Sequence, residues 1–265
     1  MNTPRDGWLV GGASVRGASH ARNGKPNQDA VAWAPPNGAG ASVAAAVSDG
    51  HGAQTHFRSE VGARLAVQQA IAALTRPGVE ELEEELAGLI LTEWRRSVDA
   101  HAAANPFDRG DPPPSEGARH SAYGATLLAF AADDDALTAL QIGDGDLLLG
   151  YPDGAIRRPL PDDHGLVGEE TYSLCQDNAL SRFRIASQWR DREGAWPDFV
   201  MLCTDGVSKS YRDEAAFLEA ATRLRELAHA DWPTLTSTLP GWLDQLTANG
   251  SGDDCTLCIA RRAPA

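Results

Sequence analysis

Hydrophobic positions along this chain change their period from segment to segment, and each change marks an element. Trp8 to Val15 and Ser42 to Ser48 are short apolar runs, the second stopped by Asp49-Gly50-His51-Gly52, as a buried strand is stopped by a polar turn. Phe57, Val61 and Leu65, then Val67, Ile71 and Leu74, repeat at i, i+4 and i+7 and predict a helix buried over a broad arc. After Pro77-Gly78 a second helical stripe runs through Leu82, Leu86, Ile90, Trp94 and Val98. Glu80, Glu81, Glu83, Glu84 and Glu85 load its first turns, where the helix dipole tolerates negative charge. That run reads as a solvated helix face.

Asn105 to Gly117 is rich in Pro, Gly and Asp and reads as a loop, with Pro112-Pro113-Pro114 too short for a ligand motif. Three apolar segments at strand spacing follow: Gly124 to Ala131, Ala136 to Ile142 and Leu147 to Tyr151. Asp133-Asp134-Asp135 and Gly143-Asp144-Gly145-Asp146 supply the turns between them, and the expectation is an antiparallel meander. Pro161 to Ser187 is irregular, Phe199 to Cys203 is an apolar strand ending in Thr204-Asp205-Gly206, and Glu214 to Leu246 carries helical stripes interrupted by Pro233 and Pro240. The last strand follows Gly250-Ser251-Gly252-Asp253-Asp254, and no internal repeat is present.

Composition narrows the class. The 265 residues fit one domain, and no apolar run approaches the roughly 20 residues that span a bilayer. Met1 to Gly7 has no signal-like apolar core, so a soluble cytoplasmic protein is expected. With 37 acidic and 23 basic residues, net −14, and no Lys/Arg stripe, neither nucleic acid nor an anionic membrane is expected as a partner. An acidic substrate would be repelled unless bound cations reversed the sign locally. Cys255 and Cys258 hint at a zinc knuckle, but an i, i+3 pair on a strand points to opposite faces. Cys175 and Cys203 add no second pair, so all four read as reduced core cysteines.

The chemistry is carried by position. Apolar strands end in Asp followed by Gly or Asp at Asp49, Asp144, Asp205 and Asp253. One Asp-Gly is an ordinary turn, but converging strand ends would put several carboxylates in one pocket. Oxygen ligands of this kind select Mg²⁺ or Mn²⁺ over zinc, and two such ions can acidify a bridging water and clamp a phosphoryl group.

Six ordered motifs extend this reading. Asn27-Gln28-Asp29-Ala30, Val47-Ser48-Asp49-Gly50-His51-Gly52, Gly124-Ala125-Thr126, Ile142-Gly143-Asp144-Gly145, Cys203-Thr204-Asp205-Gly206 and Asp253-Asp254-Cys255-Thr256 span nearly the whole chain. In order and spacing they resemble the PP2C (PPM-type) metal-dependent serine/threonine phosphatases. Gly17-Ala18-Ser19-His20 through Gly24-Lys25-Pro26-Asn27-Gln28-Asp29 is most similar to a bacterial branch. The resemblance implies an α+β fold, a four-layer αββα sandwich of two antiparallel sheets, in a single domain over 1–265 with a variable flap at about 160–187. It also implies hydrolysis of phosphoserine or phosphothreonine in a phosphoprotein, the product of a serine/threonine kinase, by a monomeric enzyme with two Mn²⁺ or Mg²⁺ ions.

By the same resemblance Asp49 bridges both ions, Gly50 offers its backbone carbonyl, and Asp205 and Asp253 complete the direct ligands. Asp29 holds metal-bound waters, and His51 protonates the leaving oxygen. Gln28 stands where Glu is more frequent, and Asp254 where Asn is usual, there to order the turn. Gly24 replaces an arginine that anchors phosphate in many relatives, leaving Arg22, Lys25 and His20 as candidate phosphate contacts, Arg22 foremost for its planar geometry. A third metal at Asp144 is expected to bind weakly, because Lys209 stands where relatives with that site carry an aspartate.

His164, Glu169, Glu170 and Asp177 could imitate a metal cluster but read as a solvated part of the flap. His101, His120 and His229 have no motif around them. Three rivals remain: a catalytically silent phosphoprotein sensor on the same fold, an aspartyl-phosphate phosphotransferase using Asp144-Gly145-Asp146, and calcium binding at the Asp-Gly turns. The second lacks a loop after its aspartate, and the third lacks a twelve-residue loop closed by Glu.

Overall fold

A computed structural model of the chain describes residues 7–76, 83–107, 119–161, 171–190 and 195–263. Its strands are β1 (Trp8–Val15), β2 (Ala30–Ala34), β3 (Ala39–Gly40), β4 (Val43–Ser48), β5 (Leu127–Ala132), β6 (Ala136–Ile142), β7 (Asp146–Gly150), β8 (Ile156–Arg157), β9 (Arg184–Trp189), β10 (Phe199–Cys203) and β11 (Cys255–Arg262). The helices are α1 (Ala18–Arg22), α2 (Ser59–Leu74), α3 (Glu83–Ala104), α4 (Asp205–Ser208), α5 (Glu214–Ala230) and α6 (Trp232–Asn249).

The strands form two antiparallel sheets. One has the order β3-β1-β11-β10-β7-β8 and the other β2-β4-β5-β6-β9. Both are covered on both faces, which is why the strands are apolar almost without alternation. On β4, Val43, Ala45 and Val47 meet Val10, Leu149, Val200, Leu202 and Cys258 of the other sheet. Ala44 and Ala46 point the opposite way, into the layer of α2 and α3 with Val67, Leu86, Ile90 and Trp94. Behind the six-stranded sheet, Phe199, Met201 and Ile259 pack on Phe217, Leu224, Leu239 and Leu243 of α5 and α6. The four-layer αββα sandwich is therefore as expected. Cys255 and Cys258 fall in different core layers, and all four cysteines are free.

Several expectations need correcting. The meander ends at β6: β5 pairs with β6, but β7 pairs with β10 and β8 in the other sheet. The intervening turn carries the chain across the sandwich, and Gly143 and Gly145 have φ of 87° and 96°, a left-handed region open to glycine. β2, β3 and β8 had no signal of their own, and the irregular segment ends in β9, an edge strand paired with β6. Pro233 sits in the first turn of α6, where a missing N–H costs nothing, while Pro240 lies inside the helix on its exposed side and does not break it. Phe57 precedes α2, and Leu65 and Ile71 are only partly buried.

Leu82, Glu80, Glu81 and Pro112-Pro113-Pro114 lie outside the described residues, as do His164, Glu169 and Glu170 of the expected flap. Asp177 is exposed. Among the described residues no helix is long and apolar enough to cross a membrane.

Candidate metal centre

The carboxylates gather where the strands of both sheets end. Asp49 follows β4, and its backbone is held by Thr126: the Thr126 hydroxyl accepts from Asp49 N at 3.0 Å, and Thr126 N donates to Asp49 O at 2.8 Å. The Ser48 hydroxyl donates to Thr126 O at 2.5 Å. The Gly-Ala-Thr motif thus clamps the chain that presents Asp49, a role its sequence did not announce. Next to it, Gly50 bridges to Ala125 through His51 N to Gly124 O and Thr126 N to Asp49 O. Neither bond uses Gly50's own carbonyl.

Asp205 begins α4 at the end of β10, and Lys209, four residues on, returns its ammonium onto the Asp205 carboxylate. Asp29 is buried beside it and accepts from the Thr204 hydroxyl at 2.7 Å; Thr204 in turn accepts from Thr256 N at 3.1 Å. Asp144, in the turn that crosses between sheets, accepts from Thr171 at 3.1 Å.

These four aspartates feel one another. Burial first, then the charges of Asp29, Asp205 and Asp144, push the Asp49 carboxyl well above the usual range. Burial likewise raises Asp29, against the hydrogen bonds from Thr204 and Thr256, and raises Asp144 together with the charge of Asp205. Asp205 is the exception: burial opposes its charge, but Lys209 outweighs burial and holds it low. Lys209 is raised in turn, desolvation being outweighed by Asp205, Asp144 and Asp49.

His51 is near enough to Asp205 to feel its charge, and its ring lies 5.0 Å from that of His56. Burial, then the positive charge of His56, pulls its pKa down to about 4 against the attraction of Asp205. A Cβ on Gly124 would come within 2.5 Å of His56 and 2.8 Å of His51, so glycine there makes room for both rings.

Asp253 is placed differently. Its side chain is 49% exposed, and Asp253 Oδ1 faces His20 Nε2 at 3.5 Å. Asp254 is 3% exposed and accepts from Gly17 N at 2.5 Å, Gln28 N at 2.6 Å and His20 Nδ1 at 2.9 Å. The stretch from Gly17 to Gln28, read for its branch resemblance and its candidate phosphate contacts, is thus tied to the start of β11. Of those cations, Lys25 donates to Gly52 O at 3.2 Å beside the His51 loop, Arg22 is exposed, and His20 has both ring nitrogens turned to aspartates. A cavity of about 570 Å³ lined by Pro35, Ser42, Leu74 and Thr138 lies at the opposite end of β4 and holds none of these groups.

The donor set fits hard divalent cations. Gln28 Oε1, Asp29 Oδ1 and Asp205 Oδ1 are buried acceptors with no hydrogen-bond partner, an arrangement that costs free energy unless cations or their waters satisfy it. Like charges from Asp29, Asp49 and Asp144 converge on one space, which a dication would neutralise.

The protein phosphatase 2C family profile matches residues 16–244. Among solved structures, the catalytic domain of the serine/threonine protein phosphatase PstP in complex with two manganese ions is 21% identical, with 97% of this chain and 99% of that one covered at a TM-score of 0.64. Stp1, a serine/threonine phosphatase from Staphylococcus aureus, is 14% identical over 96% of this chain and 94% of its own, with a TM-score of 0.65. PppA from Pseudomonas aeruginosa is 20% identical over 96% and 97%, with a TM-score of 0.61. No curated protein matches by sequence. At such identities the structural likeness speaks for the fold, while the profile covers most of the sequence and the first five of the six motifs, the closing Asp253-Asp254-Cys255-Thr256 lying beyond its end: the chain belongs to the protein phosphatase 2C family.

Proposed function

We propose that this protein is a metal-dependent serine/threonine protein phosphatase whose cations are held by Asp49, the Gly50 carbonyl, Asp205 and Asp253. The observation that carries the reading is the convergence of Asp29, Asp49, Asp144 and Asp205 with buried, unpartnered oxygens at the strand ends. When bound, the two ions, Mn²⁺ or Mg²⁺, supply an acidified water and offset the charge of the phosphoryl group. Asp29, braced by Thr204, orients water in the cleft. Gln28 does the same from a neutral amide, with its NH₂ donated to Ser59 at 2.5 Å and its oxygen left free.

His51 is the proton donor to the leaving serine or threonine oxygen. With its pKa near 4 the ring is neutral at neutral pH in the free protein, and a phosphate dianion beside it raises that value. Protonation is thereby tied to substrate binding. Lys25 and Arg22 are both exposed; the ammonium of Lys25 rests on the Gly52 carbonyl next to His51, which favours Lys25 as the phosphate contact. Asp144 shares the cleft with Lys209 and holds a third ion only weakly.

The same reading takes a phosphoprotein made by a serine/threonine kinase as substrate, with a single catalytic domain acting as a monomer in the cytoplasm. The net charge of −14 supports neither nucleic acid nor anionic membrane as a partner. Incubation with a phosphothreonine peptide and Mn²⁺ separates enzyme from silent sensor. Catalytic phosphate release is expected, whereas saturable binding without release would establish the sensor.

A further inference from the structure

We propose that His20 is a nitrogen ligand to the cation held by Asp253, adding one imidazole to a centre otherwise built from oxygen. The inference rests on Asp253 being a metal ligand, and deepens the phosphatase reading by naming a donor that the strand-end motifs do not contain.

The observation is a chain of three side chains. Among the described residues, His20, Asp253 and Asp254 offer ligand atoms that all lie within 4.8 Å of one another. Asp254 is the buried end. Its Oδ1 takes Gly17 N, and its Oδ2 takes both Gln28 N and His20 Nδ1. An asparagine in its place would turn an NH₂ group toward at least one of these donors, so the carboxylate is chemically required. With Gly17 N and Gln28 N already donating to it, Asp254 is the acceptor in its contact with His20, so Nδ1 donates there and Nε2 is the ring nitrogen that faces Asp253.

Nε2 stands 3.5 Å from Asp253 Oδ1. A proton on Nε2 makes this contact an imidazolium–carboxylate ion pair, and a metal ion bound there takes the proton's place. Two ligand atoms each about 2.1 Å from one ion, subtending about 90° to 110°, stand roughly 3.0 to 3.5 Å apart. The pair is thus spaced as neighbouring ligands of one ion. A histidine whose other nitrogen donates to a carboxylate is the arrangement by which proteins orient metal-bound imidazole and raise its basicity. His20 is also well fixed: its side chain is 13% exposed, and on the same short helix Ser19 donates to Gly252 O at 2.6 Å. An imidazole donor favours Mn²⁺ over Mg²⁺, since Mg²⁺ prefers oxygen.

Electron spin-echo spectroscopy of the Mn²⁺-loaded protein reads directly coordinated nitrogen as ¹⁴N modulation. His20→Asn is the decisive variant, because its amide can still donate to Asp254 while nothing replaces Nε2. Expected are ¹⁴N modulation in the wild type, its loss in His20→Asn and its persistence in His51→Gln. Mn²⁺ affinity of His20→Asn, by calorimetry, should fall on the order of ten-fold or more, with a smaller change for Mg²⁺. Absence of modulation in the wild type overturns the assignment whether or not the variant folds, and so does modulation that survives His20→Asn. Phosphopeptide hydrolysis without a nitrogen signal overturns this inference and leaves the phosphatase reading standing; a nitrogen signal without hydrolysis does the reverse.

Discussion

Asp49 and Gln28 flank the same cleft, yet their contributions should differ widely. Asp49 is surrounded by carboxylates whose repulsion bound cations would relieve, whereas Gln28 Oε1 is a neutral, unpartnered acceptor that in the proposed reading meets the site through water. Turnover at saturating Mn²⁺ should therefore collapse in Asp49→Asn and fall far less in Gln28→Ala; similar losses would refute the ligand assignment. His51 is tested by leaving group. Proton donation contributes about 10²- to 10⁴-fold where the departing oxygen is basic. His51→Gln should lose that much on a phosphothreonine peptide and less on p-nitrophenyl phosphate, whose leaving group needs little protonation, and equal losses would remove the acid role. Asp49, Asp144 and Asp205 were legible because each follows an apolar strand, whereas Asp253 stands before β11 instead of at the end of a strand and was singled out through its motif. Asp254 and His20 were not legible, because their meaning lies in a hydrogen bond across 234 residues of chain.

The short helix α4 explains a charge that strand patterning could not. Starting at Asp205, it places Lys209 one turn on, so the ammonium folds back over Asp205 and faces Asp144 and Asp49. A resident cation at that point competes with a third dication. Calorimetry should find two firm Mn²⁺ sites in the wild type and an additional one in Lys209→Asp; a wild-type third site as strong as the others would contradict the role given to Lys209. Element boundaries were legible wherever an apolar run met a polar turn, as at β6 and β10, which match their expected spans. Pairing was not. The Gly143–Asp146 turn looks like a hairpin in sequence, and only the sandwich shows that β7 must leave β6 to fill the sheet beside β10. Likewise β2 holds Ala30, Ala32 and Ala34, residues too small to give a strong periodic signal.

For the molecule as a whole, patterning gave apolar strands and helical stripes, and the sandwich covered on both faces was implied by the resemblance that the six motifs carry; the core layers agree with it. The cost of that edge is electrostatic. Asp29, Asp49 and Asp144 have carboxyl pKa values raised above the ordinary 3.8, so without metal the folded state holds protons more tightly than the unfolded one. Stability of metal-free protein should consequently fall as pH rises from about 4 through the raised values toward neutrality. Thermal unfolding in chelator should show a higher midpoint at pH 5.5 than at pH 7.5, with Mn²⁺ stabilising more at the higher pH; the reverse order would contradict the burial of these charges. Saturation at about 100 times Kd adds about 2.7 kcal/mol per site. The most direct measurement is phosphate release from a phosphothreonine peptide by protein stripped of divalent metal, with the stripping verified by elemental analysis, before and after Mn²⁺ or Mg²⁺ is returned. No release in the stripped protein and full recovery on metal return is the expected result, and undiminished hydrolysis after exhaustive metal removal would contradict the two-cation centre.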